Sequence, residues 1–566
     1  GRREAEGWTP ALAMLGTLVP LGLAITVFRL RRDVYLEQMP PMPVLLGVLA
    51  AFGALALVLF FAGPRWFRGP LGRLARPLPA AVLLVAVVAG GFVAQAVLGP
   101  KAAEQPARAE IAAHLAARPN LLLVMVDTLR ADHLDCYGAT DVATPHLCSL
   151  ARDGGTVFNG FSHASWTKPA TASLVTSLLP STHNAMSKPS RLSDEIVLIP
   201  EALQQHGYAT GGIVSNINLA PSFGFDQGYD EYTYLAPDYL IGAKESSSKT
   251  ILYQIARSVI LKLRKGSLRF NDFYQDSEVV NRYAFDWLDR HAQERFYLFL
   301  HYMDPHDPYF EHPYNGVGIA RVAGDPPADQ AARMRELYKG EIEYLDRNFG
   351  KLLDHLKQLG VYDDTLIVLT ADHGEEFHEH GGFWHGLTLY DEQIRVPLLV
   401  KWPKGRSEMP YDQTSGIARL IDVGPTLLAR AGAPVPEAMQ GVDLALGHEQ
   451  RSEKDREVFA EEDHEGNVLW ALRTSSMKLI AANEGNPRGL PARELFDVAE
   501  DPHELVNLLD RGHQDAEARL AQNAELQRSA ALGKAFEPSE GASMTHAECE
   551  QLRVLGYVDD CSHIAN

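Results

Sequence analysis

The chain has 566 residues, 46% of them hydrophobic, with 72 acidic against 52 basic side chains and a formal net charge of −20. That length exceeds one small core and reads as a membrane part followed by one large soluble domain. The acidic balance, with no basic stripe to neutralise phosphates, excludes nucleic acid as a partner.

Three apolar spans come first, at about residues 9–28, 44–62 and 80–98. Each is near the length that crosses a bilayer and each lacks Asp, Glu, Lys and Arg. Residues 1–99 are therefore expected to be a transmembrane region, and the first span is too long for a signal-peptide core. Arg65, Arg68, Arg73 and Arg76 lie between spans two and three. The positive-inside rule puts that loop in the cytoplasm and the following domain outside, although Arg29, Arg31 and Arg32 pull the other way. The chain starts at Gly1 without Met, so further spans are expected upstream.

Residues 100–119 read as a linker, and residues 120–510 as the main domain. The run Asn120 to Val126 reads as a buried parallel strand. Its end delivers Asp127 to the sheet edge where open α/β sheets place ligands. Arg130 and Asp132 are candidates for contacts to Asp127. Cys136, Cys148, Cys549 and Cys561 can oxidise in an extracytoplasmic domain, and the short separations favour pairing 136 with 148 and 549 with 561. Isolated buried thiols are the alternative.

Ser165-Trp166-Thr167-Lys168-Pro169 leads into a helical segment running to Leu179, so the Thr167 hydroxyl is expected near a helix start that favours anions. Lys168 is a candidate phosphate contact, or else an exposed lysine. Helices over Ser277 to Ala292 and Ala331 to Leu359 alternate with apolar strands at 296–301, 366–370 and 396–400. That alternation predicts an α/β fold, a mostly parallel sheet with helices on both faces. His306 lies in a Pro-rich loop just past one strand, and Asp372 and His373 end the next. His385 follows twelve residues after His373. His378 and His380 with Glu375 and Glu376 could form a second metal site, against a solvated acidic loop as the alternative. Residues 511–566 read as a helix and tail.

Asp127, Asp372, His373 and the Thr167 hydroxyl make a mixed oxygen and nitrogen shell for one divalent cation. Zn or Mn suits it best; Ca prefers oxygen alone, and Ca or Mg remain possible occupants. The cation would lower the hydroxyl pKa and take up charge on a transferring group, giving covalent phospho-threonine chemistry.

Three motifs, Val126-Asp127-Thr128-Leu129-Arg130-Ala131-Asp132-His133, His301-Tyr302-Met303-Asp304-Pro305-His306-Asp307-Pro308-Tyr309 and Thr370-Ala371-Asp372-His373-Gly374-Glu375, resemble the alkaline phosphatase and sulfatase superfamily. The resemblance extends from about Asn120 to about Leu508, including the late Glu494-Leu495-Phe496-Asp497 strand. It implies an alkaline phosphatase-like fold, with His306 contacting substrate and His385 holding the phosphate or protonating the leaving group. Sulfatases of that superfamily oxidise a Cys or Ser in Cys-x-Pro-Ser-Arg to formylglycine. Here the stretch is Thr167-Lys168-Pro169-Ala170-Thr171, so no formylglycine is expected.

Superfamily members with a threonine nucleophile resemble lipoteichoic acid synthases and lipid A phosphoethanolamine transferases. That branch implies a phosphotransferase in a bacterial inner or plasma membrane. It would move a phosphoethanolamine or phosphoglycerol head group from a phospholipid donor to a glycan, lipid or protein acceptor. A phosphodiesterase or phosphatase, a sulfuric ester hydrolase and a catalytically inactive membrane binding protein are the alternatives.

Overall fold

The computed structural model describes residues 112–537, except 237–273, 316–317, 322–324, 405–415, 447–456 and 510, with scattered positions between 19 and 61. Most of the first two expected spans, the whole of the third, most of the linker, Cys549, Cys561 and the tail beyond 537 lie outside the described residues. Among the described residues no helix is long and apolar enough to cross a membrane. Residues 107–566 cluster as one compact unit, to which the following description is confined.

The eight principal strands are β1 (Asn120–Val126), β2 (Thr156–Phe161), β3 (Ala209–Val214), β4 (Glu231–Tyr234), β5 (Phe296–Tyr302), β6 (Thr365–Ala371), β7 (Arg395–Lys401) and β8 (Ile417–Arg419). They form one sheet in the order β8-β2-β7-β6-β1-β5-β3-β4. Only β7 runs against its neighbours β6 and β2; every other pairing is parallel, as the alternating elements require. Strands β1, β5 and β6 are buried at every residue, which explains why they read as unbroken apolar runs rather than alternating ones. Their register pairs Val126 with Ala371 on one side and Tyr302 on the other. One step beyond that row, Asp127 and Asp372 emerge side by side.

Helix α1 (Thr167–Thr176) is buried throughout. It ends three residues short of the expected Leu179. Ser177 adopts a left-handed φ of 57°, and Leu179 is held extended ahead of Pro180, which opens the next turn. Helices α2 (Ser277–His291) and α3 (Ala331–Gln358) fall within a residue of their expected bounds. The Asp276 side chain caps α2 by accepting from the Val279 N–H at 2.9 Å. Cys136 and Cys148 are joined by a disulfide.

A second sheet, of which only the last strand was legible, follows in antiparallel order: β9 (Val458–His464), β10 (Asn467–Arg473), β11 (Met477–Ala482) and β12 (Arg493–Asp497). Helix α5, which we number after α4 (Val423–Ala431), spans Gln514–Leu532. Its Leu520, Ala524 and Ala531 pack on Leu472, Leu479 and Leu495 of this sheet.

Candidate active site

Two carboxylates and an imidazole reach one point from adjacent strand ends. Asp127 leaves β1 and Asp372 leaves β6, with His373 following, and all three are fully buried. Asp372 Oδ1 accepts the backbone N–H groups of Thr128 at 3.2 Å and His373 at 2.9 Å. Asp127 Oδ2 accepts from Asn216 Nδ2 at 2.9 Å and lies 3.2 Å from His301 Nε2. The other two carboxylate oxygens, Asp127 Oδ1 and Asp372 Oδ2, are buried with no hydrogen-bond partner among the described residues.

His373 is turned to meet them. Its Nδ1 hydrogen-bonds the Gly374 carbonyl oxygen at 2.9 Å, which leaves Nε2 as the lone-pair nitrogen, 3.3 Å from Asp372 Oδ2 and 3.6 Å from Asp127 Oδ1. Burial lowers the His373 pKa to about 4, so the ring is neutral at physiological pH. One ligand atom from each of the three residues lies within 4.8 Å of the others. Buried oxygens lacking donors, beside a neutral nitrogen, are what a divalent cation satisfies; the donor set fits one.

The charges show the same need. Burial and the charge of Asp127 push the Asp372 pKa well above its ordinary range. Burial also raises that of Asp127, but His306, His301 and His373 outweigh it and hold it low. Two carboxylates in one dry site repel unless a cation lies between them.

Thr167 is the first residue of α1, after the extended Trp166. Its Oγ1 lies 3.4 Å from His373 Nε2 and 3.4 Å from Asn216 Nδ2. The expected quartet of Asp127, Thr167, Asp372 and His373 is thus one cluster. His306 and His385 stand beside it, their ring centres 5.0 Å apart and that of His385 4.5 Å from His373. His385 Nδ1 lies 3.1 Å from Glu375 Oε1, and Tyr309 donates its hydroxyl to Glu375 Oε2.

Several other expectations are corrected. Arg130 turns away from Asp127 and pairs with Asp132 and Glu379, both at 2.7 Å. The second-metal grouping is dispersed: Glu375 holds His385, Glu376 meets Arg488 at 2.9 Å, His380 meets Glu392 at 2.6 Å and His378 stacks on Phe383. Lys168 is buried rather than exposed. Its ammonium lies 3.5 Å over the Phe223 ring and donates to the carbonyls of Lys188 and Ser190, and burial pushes its pKa down.

Sequence reasoning missed Asn216, His301, Glu375 and His464 as parts of this site. Asn216 and His301 carried a signal, since Asn216 follows β3 as Asp127 follows β1, and His301 sits at the exit of β5. His464 comes from β9 of the second sheet and packs against Trp166, the rings tilted by 34° with centres 4.6 Å apart.

Residues 119–433 match the sulfatase family model, and residues 378–530 match the model of the N-sulphoglucosamine sulphohydrolase C-terminal region. A choline-sulfatase from Rhizobium meliloti is 25% identical over 454 residues, covering 69% of this chain and 83% of that protein. The multifunctional alkaline phosphatase superfamily protein PehA of Trinickia caryophylli is 24% identical over 473 residues, covering 69% and 91%. The fold is shared with the phosphonate monoester hydrolase of Agrobacterium radiobacter, at a TM-score of 0.56 and 22% identity over 73% of this chain and 96% of that one. With more than half its length matched by the family model and the strand-end cluster in place, the chain belongs to the sulfatase family.

Proposed function

We propose that this chain is a metal-dependent hydrolase of sulfuric or phosphoric esters in which the unmodified Thr167 hydroxyl is the nucleophile. The observation that carries the reading is Thr167 Oγ1 at 3.4 Å from His373 Nε2, against two buried carboxylate oxygens lacking donors. Formylglycine needs a β-carbon that can become an aldehyde, and the threonine β-carbon bears a methyl group. Matches to sulfatases, and to the fold of a phosphonate monoester hydrolase, support a tetrahedral oxoacid ester as the substrate class.

Asp127, Asp372 and His373 would hold the cation, which supplies positive charge to a developing alkoxide and to the transferring group. The chain's own groups do the rest. Asn216 Nδ2 reaches both Asp127 and Thr167, fixing the hydroxyl relative to the carboxylate. Thr167 Oγ1 attacks the sulfur or phosphorus, the S–O or P–O bond to the leaving group breaks, the departing oxygen takes the bonding pair and the proton given up by the Thr167 hydroxyl, and the side chain carries the sulfuryl or phosphoryl group. Glu375 orients His385 through Nδ1, which assigns Nε2 to taking a proton from the incoming hydroxyl of the second step. Replacing Thr167 with Ala should abolish turnover of 4-nitrophenyl sulfate, 4-nitrophenyl phosphate and bis(4-nitrophenyl) phosphate with the circular dichroism spectrum unchanged. Retained turnover of the substrates cleaved by the parent protein would refute the nucleophile.

Transfer in place of hydrolysis is the second reading: the same intermediate passes a phospholipid head group to an acceptor hydroxyl. Two features favour it, the threonine itself and the three charge-free spans of the sequence. The Cys136–Cys148 disulfide supports an extracytoplasmic, oxidising location for such an enzyme. Intact-mass measurement after incubation with phosphatidylethanolamine or phosphatidylglycerol vesicles tests it. A head-group adduct mapping to Thr167 supports transfer, and its absence at full hydrolytic activity excludes that donor pair.

A further inference from the structure

The wall of this site holds a cation that the proposed chemistry leaves unused. Arg321 is tied to the His306 loop, because its backbone N–H donates to Asp307 Oδ2 at 3.1 Å, and the Asp307 carbonyl in turn binds His306 Nδ1 at 2.7 Å. The Arg321 side chain is only 10% exposed. Its nearest ion partner, Glu465 Oε2, stands 3.8 Å away, beyond hydrogen-bond reach. The other oxygen of Glu465 is already paired with Lys188 Nζ at 2.9 Å. Arg321 Nη1 is buried with no hydrogen-bond partner among the described residues.

A buried guanidinium with an empty donor is unfavourable unless something charged completes it. The surrounding rings of His385 and His464 do not, since an imidazole carries no negative charge in either protonation state. His464 precedes Glu465 and packs against Trp166, the residue before Thr167. Arg321 is thus held on the His306 loop, near enough to His373, Glu375, His385 and His464 for its charge to act on each of them.

We propose that Arg321 is a specificity-determining residue whose guanidinium binds an anionic oxygen of the substrate. The proposal rests on the reading of the cluster as an ester-cleaving site, and it deepens that reading by requiring a negative charge next to His385. The oxygen can belong to the ester group itself or to an acidic substituent on the leaving portion. Arg–oxyanion pairs are short, charge-assisted and frequently bidentate, so Arg321 discriminates charged from neutral ligands rather than one skeleton from another.

Binding, not turnover, tests this. Calorimetric titration in the Thr167→Ala background with Mn²⁺ present uses phenylphosphonate and 4-carboxyphenylphosphonate as probes, so the outcome does not depend on which group is the nucleophile. Adding Arg321→Ala should weaken binding on the order of 10- to 100-fold, the range of one lost charge-assisted contact. Arg321→Lys should recover part of the loss, which also controls for folding. Equal losses for both probes assign the contact to the oxygens of the phosphonate group; a loss confined to the carboxylated probe assigns it to the leaving portion. Unchanged affinity for both would overturn the proposal. Turnover surviving Thr167→Ala would instead remove the nucleophile and leave this result standing.

Discussion

Glu375 illustrates how much of this site acts through a neighbour. It lies two residues past His373, is fully buried, and spends its two oxygens on His385 and Tyr309. Burial pushes its carboxyl well above the ordinary range, so what it supplies is the pair of hydrogen bonds rather than a charge. Replacing it with Ala removes both, and kcat should fall about 10- to 100-fold with little change in KM, as for other partners that orient a reactive imidazole. Steady-state kinetics on a substrate of the parent protein checks this; unchanged kcat would mean His385 is oriented otherwise. Chelation and reloading with Zn²⁺ or Mn²⁺ should remove and restore activity, because Asp127 Oδ1 and Asp372 Oδ2 have no hydrogen-bond partner among the described residues. At this scale the sequence was informative where a charged residue ends an apolar run, as Asp127 and Asp372 do. It was silent where function comes from a side chain such as His464, whose partner Trp166 is almost three hundred positions away.

The elements were legible for a physical reason and failed for one. Strands buried on both faces read as uninterrupted Leu and Val, so β1 and β6 were found directly, and the long amphipathic α2 and α3 were found by their period. Strands β9 to β11 carry Glu461, Glu462, Lys478 and Arg473 at buried positions, so no apolar signature marked them. Lys478 and Arg473 are buried because they are paired, while Glu461 and Glu462 accept from Ser181 and Ser165. Asp391 receives Lys478 at 2.8 Å and Arg473 at 3.1 Å, holding the second sheet to the segment before β7. Asp391→Ala leaves Arg473 without its carboxylate and Lys478 with Glu504 alone, and should destabilise the fold by about 3–5 kcal/mol, read from urea unfolding. In β3, a Cβ on Gly211 would come within 2.4 Å of the Trp287 ring of α2. Gly211→Ala should therefore lower stability by about 1–3 kcal/mol, although nothing at the site is touched.

For the molecule as a whole, the pH limit comes from histidines that fold neutral. Burial lowers His163 to about 4 and His183 to about 3, from an ordinary value of 6.5. A depressed base binds fewer protons folded than unfolded, so its contribution is complete above pH 6.5 and drains away as pH falls toward 3–4. Unfolding free energy should drop across that window, and His183→Gln should flatten the slope; an unaltered slope would assign the acid sensitivity to other groups.

The arrival of His464 from β9 also has a bearing on how the protein is made. Ribosomes release the chain from its amino end, so the nucleophile, the paired carboxylates and the imidazole beside them all emerge before the ring that packs against Trp166. A nascent polypeptide stalled anywhere short of that sheet would carry every reactive atom and yet lack one wall of its cup. Completion of that wall is thereby deferred until the second sheet has been synthesised.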